Sequence, residues 1–109
     1  MSLLKVSKRR QNKIMTLRKE AFKEAERLAL LLRGHFDFED IYIYGSVLTG
    51  EFTRTSDIDM AIKGLKIEDF FKAHALLIMG SSFSIDLKPF EDMTDDFKKT
   101  VLIKGRRIG

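Results

Sequence analysis

Three aspartates are the residues of this sequence whose type and spacing could do chemistry. Asp57 and Asp59 stand one residue apart, and Asp86 lies in a later, mostly apolar segment. Alternate residues of a strand point to the same face and lie about 6.5 to 7 Å apart along it. Carboxylates held side by side repel each other and resist desolvation, so they usually need a cation between them. These aspartates are therefore candidate ligands of a metal ion.

Carboxylate ligands favour particular metals and reactions. Mg²⁺ and Mn²⁺ bind carboxylates, keep several waters and take phosphate oxygens as further ligands. Two such ions, about 3.5 to 4 Å apart, would stabilise the attacking and leaving oxygens of an in-line phosphoryl displacement. The three aspartates therefore predict a site for Mg²⁺, with two ions expected and Mn²⁺ as the alternative metal.

A Gly-Ser pair upstream could supply the phosphate-binding half of such a site. Gly45 allows the backbone to approach a phosphate closely, and the Ser46 hydroxyl can donate a hydrogen bond. The N–H groups at the start of a following helix also attract an anion. Arg54 is the only basic residue between this pair and Asp57, and it either contacts phosphate or is simply solvated. Gly45, Ser46 and Arg54 are therefore the candidate nucleotide-binding residues.

Three predicted strands and their flanking helices must position these side chains. Apolar spacings of three and four predict an amphipathic helix over residues 8–33, which Gly34 ends. The remaining pattern predicts strands at 41–44, 57–63 and 83–87, with Pro89 stopping the last, helices at 46–50 and 67–78, and a final helix capped by Thr94. This order predicts an α+β domain with a small mixed β-sheet of three or more strands flanked by helices.

Alternation within the predicted strands separates the acids from the core. Asp57 and Asp59 fall on one face of the second strand, and its large apolar residues fall on the other. Asp86 likewise falls on the non-apolar face of the third strand. The three acids and the Gly-Ser pair thus lie at or near strand ends, where one site could collect them.

Length and composition limit the class of protein. The 109 residues suit a single domain with one core. The sequence contains no cysteine, which excludes disulfides and thiolate chemistry and fits the cytoplasm. No apolar run is long enough to span a membrane, and the first residues lack the features of a signal peptide. We therefore expect a cytoplasmic protein with no membrane partner.

Basic residues concentrate at the two ends of the chain. Ten of the 20 Lys and Arg residues lie in segments 1–13 and 98–109, which contain no acid, although the net charge is only +4. Basic tails can contact nucleic acid or an acidic partner, and otherwise they keep the ends solvated. We expect the second role, with flexible ends at about residues 1–8 and 104–109, and nucleic-acid binding as the alternative.

The glycine, serine and aspartates together resemble a known signature. The Gly-Ser pair, ten residues and the Asp-Ile-Asp segment have the form G-S-x10-D-x-D. This is similar to the signature of the nucleotidyltransferase superfamily related to polymerase beta, and the resemblance covers roughly residues 20–103. Residues 1–109 resemble a single minimal nucleotidyltransferase domain. Its relatives include antitoxins encoded beside a helical HEPN-domain ribonuclease toxin.

The resemblance implies a role for each candidate residue. Asp57, Asp59 and Asp86 would be the catalytic metal ligands, and Asp86 would also act as, or position, the base for an acceptor hydroxyl. Gly45 and Ser46 would bind the triphosphate. The implied reaction transfers a nucleoside monophosphate, AMP from ATP in the antitoxin relatives, to a hydroxyl and releases pyrophosphate.

So small a chain leaves little room for a separate acceptor pocket, so we expect the acceptor on a partner protein. The resemblance implies a HEPN-type toxin as that partner, silenced by the added AMP. Two alternatives stay open at this point. One is an antitoxin or nucleotide-binding module that inhibits its partner by occlusion, without turnover. The other is a transferase that reaches RNA or a small molecule through the basic ends.

Overall fold

Four helices and four strands make up the described part of the chain. The structure, a computed structural model, describes the backbone of residues 3–109 and the side chains of residues 13 and 15–109. The helices are α1 (Leu3–Arg33), α2 (Ser46–Thr49), α3 (Ile67–Gly80) and α4 (Asp95–Lys104), with a 3₁₀ turn at Phe90–Asp92. The strands are β1 (Asp40–Tyr44), β2 (Ile58–Lys63), β3 (Ile85–Pro89) and β4 (Arg106–Arg107). None of the described helices is both long and apolar enough to cross a membrane.

The strands form one mixed sheet in the order β3-β2-β1-β4. β1 pairs antiparallel with both β2 and β4, whereas β2 pairs parallel with β3. A parallel pair needs a crossover, and α3 supplies it between β2 and β3. The predicted α+β domain, with a small mixed sheet flanked by helices, is confirmed.

The two faces of the sheet carry different side chains. One face packs against α1 and α3 to form the main core, and its buried residues include Ile41, Ile43, Ile58, Met60, Ile62, Ile85 and Leu87. On the opposite face, Tyr42, Tyr44 and Ala61 form a smaller cluster with Phe90 and Val101. Asp59 shares the face of Ala61 because residues two apart in a strand point the same way. The alternation in β2 therefore separates the acids from the main core, as predicted.

The third strand lies two residues later than the sequence predicts. Its alternation indicates residues 83–87 ended by Pro89, whereas β3 spans Ile85–Pro89 and includes the proline. β3 is an edge strand, where a residue without an N–H group is tolerated. Phe83 packs against the main core from just outside the strand, which explains why it fits the alternating pattern.

Both ends of the chain have regular backbone structure where the structure describes them, and the prediction that they are flexible stays a prediction. Residues 3–8 belong to α1, which begins five residues before the predicted start, while residues 1 and 2 and the basic side chains of segment 3–12 lie outside the description. At the other end, β4 pairs with Tyr42 and Ile43, and the Ile41 N–H donates to the Gly109 carbonyl at 3.1 Å. Backbone pairing needs no apolar side chains, so a pattern of hydrophobicity could not reveal β4.

Candidate active site

Asp59 and Asp86 occupy paired positions on neighbouring strands. In the parallel register of β2 and β3, Asp59 lies opposite Asp86, just as Ile58 lies opposite Ile85. Neighbouring strands are about 4.8 Å apart, and paired residues point to the same face. The two carboxylates therefore share the face of the sheet that the main core does not use. The sequence predicts this proximity, and the register of the two strands provides it.

Asp57 reaches the same end of the sheet from the loop that precedes β2. The hydroxyl of Ser84, the residue before β3, donates a hydrogen bond to Asp57 Oδ1. The Ile58 N–H also donates to the Ser84 carbonyl, at 2.8 Å. These bonds fix the exposed Asp57 carboxylate relative to the start of β3. Asp59 and Asp86 thus lie at paired positions of β2 and β3, and Asp57 lies in the loop just before β2.

The charge of Asp59 is poorly compensated. Burial, then the neighbouring Asp86 charge and more weakly Asp57, raise the pKa of Asp59 to about 6, against a partial opposing effect of Lys88. Lys88 forms an ion pair with Asp86, with Nζ 3.2 Å from Oδ2. A second positive charge near Asp59 would relieve the repulsion that raises its pKa.

Gly45 brings the backbone against this acidic pair. It lies in the turn after β1 with φ +79° and ψ −144°, a conformation that residues with a side chain rarely adopt. A Cβ atom at this position would lie 2.5 Å from Asp59 Oδ2. Only glycine fits between the turn and the carboxylate. Ser46 follows, half-buried, as the first residue of α2.

Arg18 supports this turn from α1, a role that the sequence analysis missed. Its guanidinium donates from Nε to the Val47 carbonyl and from Nη2 to the Leu48 carbonyl, both at 2.9 Å. These carbonyls belong to α2, so the arginine ties the four-residue helix to α1. In the sequence, Arg18 is one of many basic residues of an amphipathic helix, and no signal distinguishes it.

Arg54 lies in the exposed loop between α2 and β2. It lines an open cleft together with Leu17, Glu20 and Ser84. Ser84 also donates the hydrogen bond to Asp57, so Arg54 and Asp57 both lie near this residue. No hydrogen bond or ion pair engages the Arg54 side chain within the described residues. Its assignment to nucleotide binding stays a prediction.

Tyr44 is a second residue that the sequence analysis left out of the site. Its side chain is 9% exposed, and its hydroxyl is buried without a hydrogen-bond partner among the described residues. Burial first, then the charges of Asp59 and Asp86, raise the pKa of this hydroxyl. The ring meets that of Phe97 edge-on, with 5.5 Å between the ring centroids. An aromatic residue in an apolar strand is normally assigned to the core, and the sequence gives no sign that the Tyr44 hydroxyl lies beside the acids.

The acids provide the donor chemistry of a Mg²⁺ or Mn²⁺ site without forming a closed metal cage. Within the described residues, no group of three or more His, Cys, Asp or Glu side chains converges enough to hold a metal ion. The hydrogen bond of Asp57 to Ser84 and the ion pair of Asp86 with Lys88 direct two of the acids elsewhere. Carboxylate oxygens are nevertheless the ligands that these hard cations prefer, and the raised pKa of Asp59 marks uncompensated negative charge.

Two solved structures are similar to this fold. The structure described as "Crystal structure of the toxin-antitoxin with AMP-PNP" contains a chain 24% identical to this one, with a TM-score of 0.66 over 77% of this chain and 72% of that chain. A mutant of the toxin–antitoxin MntA-HpeT with two Asp-to-Glu substitutions contains a chain 21% identical, with a TM-score of 0.65 over 76% of this chain and 70% of that chain. These similarities show a shared fold. No curated protein sequence matches the chain significantly.

A family assignment follows from the sequence itself. The sequence model of the family described as "Polymerase beta, Nucleotidyltransferase" matches residues 26–109, more than three quarters of the chain. The match includes every candidate site residue and all four strands of the described sheet. The chain therefore belongs to the polymerase beta nucleotidyltransferase family.

Proposed function

We propose that the chain is a Mg²⁺-dependent nucleotidyltransferase that transfers AMP from ATP to a hydroxyl group of a toxin protein and so acts as an antitoxin. The observation that carries the proposal is the pairing of Asp59 with Asp86 beside the Gly45 turn. Membership of the family supports nucleotidyl transfer. The two structural neighbours, described as toxin–antitoxin structures and one of them with AMP-PNP, support ATP and a toxin partner.

Each residue has a defined part in the proposed reaction. Asp57, Asp59 and Asp86 would hold Mg²⁺, which when bound stabilises the charge on the reacting phosphate oxygens. Gly45 would let the triphosphate approach the backbone, with a hydrogen bond from the Ser46 hydroxyl. The acceptor oxygen forms a bond to the α-phosphorus, the bond to the bridging oxygen breaks, and pyrophosphate leaves. Asp86 would take the hydroxyl proton or position the group that takes it.

A folded protein is the acceptor that the molecule best fits. Exposed apolar side chains on α3 include Ile67, Phe71 and Met79, each at least 80% exposed. Exposed apolar groups of this size on one helix are typical of a surface that meets another protein. We propose a HEPN-type ribonuclease toxin as the partner, on the basis of the resemblance described above. An AMP group added near an RNA-cleaving site would repel RNA by its negative charge.

The proposal is tested by transfer of label to the toxin encoded beside this chain. Purified protein, Mg²⁺ and ³²P-α-labelled ATP should label the toxin, and chelation of the metal should abolish the labelling. The double variant Asp57→Asn, Asp59→Asn should lower the rate about a hundredfold or more, because it removes two proposed metal ligands. Asp37→Asn, an exposed loop change, is the matched control and should leave the rate unchanged. A toxin that wild-type protein neutralises without becoming labelled would contradict the proposal.

Inhibition by occlusion is the second candidate function. It is favoured by the absence of a converged three-ligand metal cluster among the described residues. The same double variant separates the two functions. An occluding antitoxin should still neutralise its toxin when Asp57 and Asp59 are replaced, whereas a catalytic antitoxin should not.

A further inference from the structure

The three acids of the site differ in the partners that hold them. Ser84 donates a hydrogen bond to Asp57, and Lys88 forms an ion pair with Asp86. Asp59 is half-buried, yet it has no hydrogen bond or ion pair with any side chain that the structure describes. One acid of the set therefore lacks the donor that each of the other two possesses.

The Tyr44 hydroxyl is a donor that lacks an acceptor. Tyr44 lies directly opposite Asp59 in the antiparallel pair of β1 and β2, so both side chains point to the same face of the sheet. The hydroxyl is buried and unpartnered, and the charge of Asp59 acts on it. A buried polar group without a hydrogen-bond partner destabilises a fold, because it gives up its bonds to water without replacement. Packing alone would be served better by phenylalanine at this position.

Binding of a metal ion by Asp59 would favour a hydrogen bond between the Tyr44 hydroxyl and the Asp59 carboxylate. A carboxylate that binds a metal ion through one oxygen usually accepts a hydrogen bond on the other, and this second contact fixes its orientation. A neutral hydroxyl suits this role beside a cation, because it donates without adding positive charge.

We propose that Tyr44 is a positioning residue whose hydroxyl donates a hydrogen bond to the Asp59 carboxylate when that carboxylate holds a divalent cation. The inference rests on the proposed function only in requiring a cation at the acids. It completes the set of donors: Ser84 for Asp57, Lys88 for Asp86 and Tyr44 for Asp59.

Tyr44→Phe tests the inference, and Tyr42→Phe provides a matched control. Tyr42 lies on the same face of β1, and its hydroxyl donates to Asp40 at 3.4 Å, outside the site. The readouts are the unfolding midpoint of the metal-free protein and the Mn²⁺ dissociation constant, measured by electron paramagnetic resonance of free Mn²⁺. For Tyr44→Phe we expect an unchanged or raised midpoint with Mn²⁺ affinity about tenfold weaker. Tyr42→Phe should bind Mn²⁺ like the wild type.

A double-mutant cycle with Asp59→Asn identifies the residue through which Tyr44 acts. In the Asp59→Asn background, Tyr44→Phe should cause no further loss of Mn²⁺ affinity, because the carboxylate that it positions is gone. Additive losses, or a Tyr44→Phe variant that binds Mn²⁺ like the wild type, would overturn the inference. So would a lowered midpoint of metal-free Tyr44→Phe, since the hydroxyl would then be serving the fold.

Failure of the inference is distinguishable from failure of the proposed function. If the wild type binds Mn²⁺ and labels its toxin but Tyr44→Phe matches it in both, only the inference fails. If the wild type binds no Mn²⁺, the metal-dependent function fails and the inference fails with it.

Discussion

At the scale of single residues, the negative charge of Asp59 lowers the stability of the metal-free folded protein. Its folded-state pKa of about 6 exceeds the ordinary value of 3.8, so the metal-free folded state binds a proton more tightly than the unfolded chain does. Protonation of Asp59 therefore favours folding below about pH 4, and this contribution disappears as pH rises through 6. Charge at this position costs stability at neutral pH, and a bound cation would offset that cost.

Asp59→Asn should reveal this dependence on pH. Relative to the wild type, the variant should gain about 1–2 kcal/mol in free energy of unfolding as pH rises from about 4 to 7, after allowance for solvent screening of a half-buried group. Denaturant unfolding of both proteins with a chelator, at several pH values in this window, provides the measurement. A difference that stays constant with pH would show that the pKa of Asp59 is not raised. Asp37→Asn controls for the loss of one negative charge.

Gly45→Ala should damage both the backbone and the acidic pair. The new Cβ would lie 2.5 Å from Asp59 Oδ2, in a conformation that disfavours any side chain. We expect a loss of stability of about 1–3 kcal/mol and weaker Mn²⁺ binding. Gly50→Ala is the control: φ is also positive there, but a Cβ would lie 3.6 Å from Arg18, without a clash. Equal Mn²⁺ affinities in the two variants would contradict the close approach of Gly45 to Asp59.

The residue types explain which parts of the site were predictable. Asp57, Asp59 and Gly45 could be proposed as site residues because acids on alternate positions after a glycine turn suggest a metal and phosphate site. Tyr44 and Arg18 were missed because an aromatic residue in a strand and an arginine on a helix already have ordinary explanations. Only the burial of a hydroxyl and the direction of a guanidinium distinguish them, and both are tertiary facts.

At the scale of elements, α2 depends on α1 for its stability. A helix of four residues cannot persist by itself, because nucleation costs more than one turn of hydrogen bonds returns. The two hydrogen bonds from Arg18 to the Val47 and Leu48 carbonyls supply the missing support. The Gly45 turn begins this helix, so the support extends to the proposed phosphate site.

Arg18→Gln should therefore loosen α2. We expect a loss of about 1.5–3 kcal/mol in free energy of unfolding, since hydrogen bonds from a charged group are removed, together with weaker binding of AMP-PNP. Denaturant unfolding and calorimetry measure the two effects. Lys19→Gln is the control, because Lys19 is the exposed neighbour on the same helix. Unchanged AMP-PNP affinity in a destabilised Arg18→Gln protein would show that the turn does not depend on α2.

The boundaries of elements were predictable where local chemistry sets them. Thr94 accepts a hydrogen bond from the Phe97 N–H at 3.2 Å, as its position before an acidic first turn predicts. β3 and β4 were not predicted correctly, because their limits depend on the strand beside them. Pro89 is tolerated at a sheet edge, and Arg106–Arg107 is a strand only because β1 offers an unpaired side.

At the scale of the whole molecule, the order of elements determined the fold class. The helix predicted at 67–78 is present as α3, and it connects the parallel strands β2 and β3. The relative positions of Asp59 and Asp86 could not be deduced, because register between strands distant in sequence is a property of the assembled sheet. The apolar pattern of α3 likewise does not show which of its side chains are buried, and Phe71 is 80% exposed.

The strict alternation along β2 also protects the molecule from one folding error. If β2 slid by a single residue against its neighbours, every side chain would exchange faces. Ile58 and Met60, now fully buried, would leave the main core, and Asp59 would enter it, where an isolated charge is far too costly to persist. The change of register that would bury Asp59 would therefore also disrupt the main hydrophobic core. A fold with β2 out of register would therefore be too unstable to persist as a compact species.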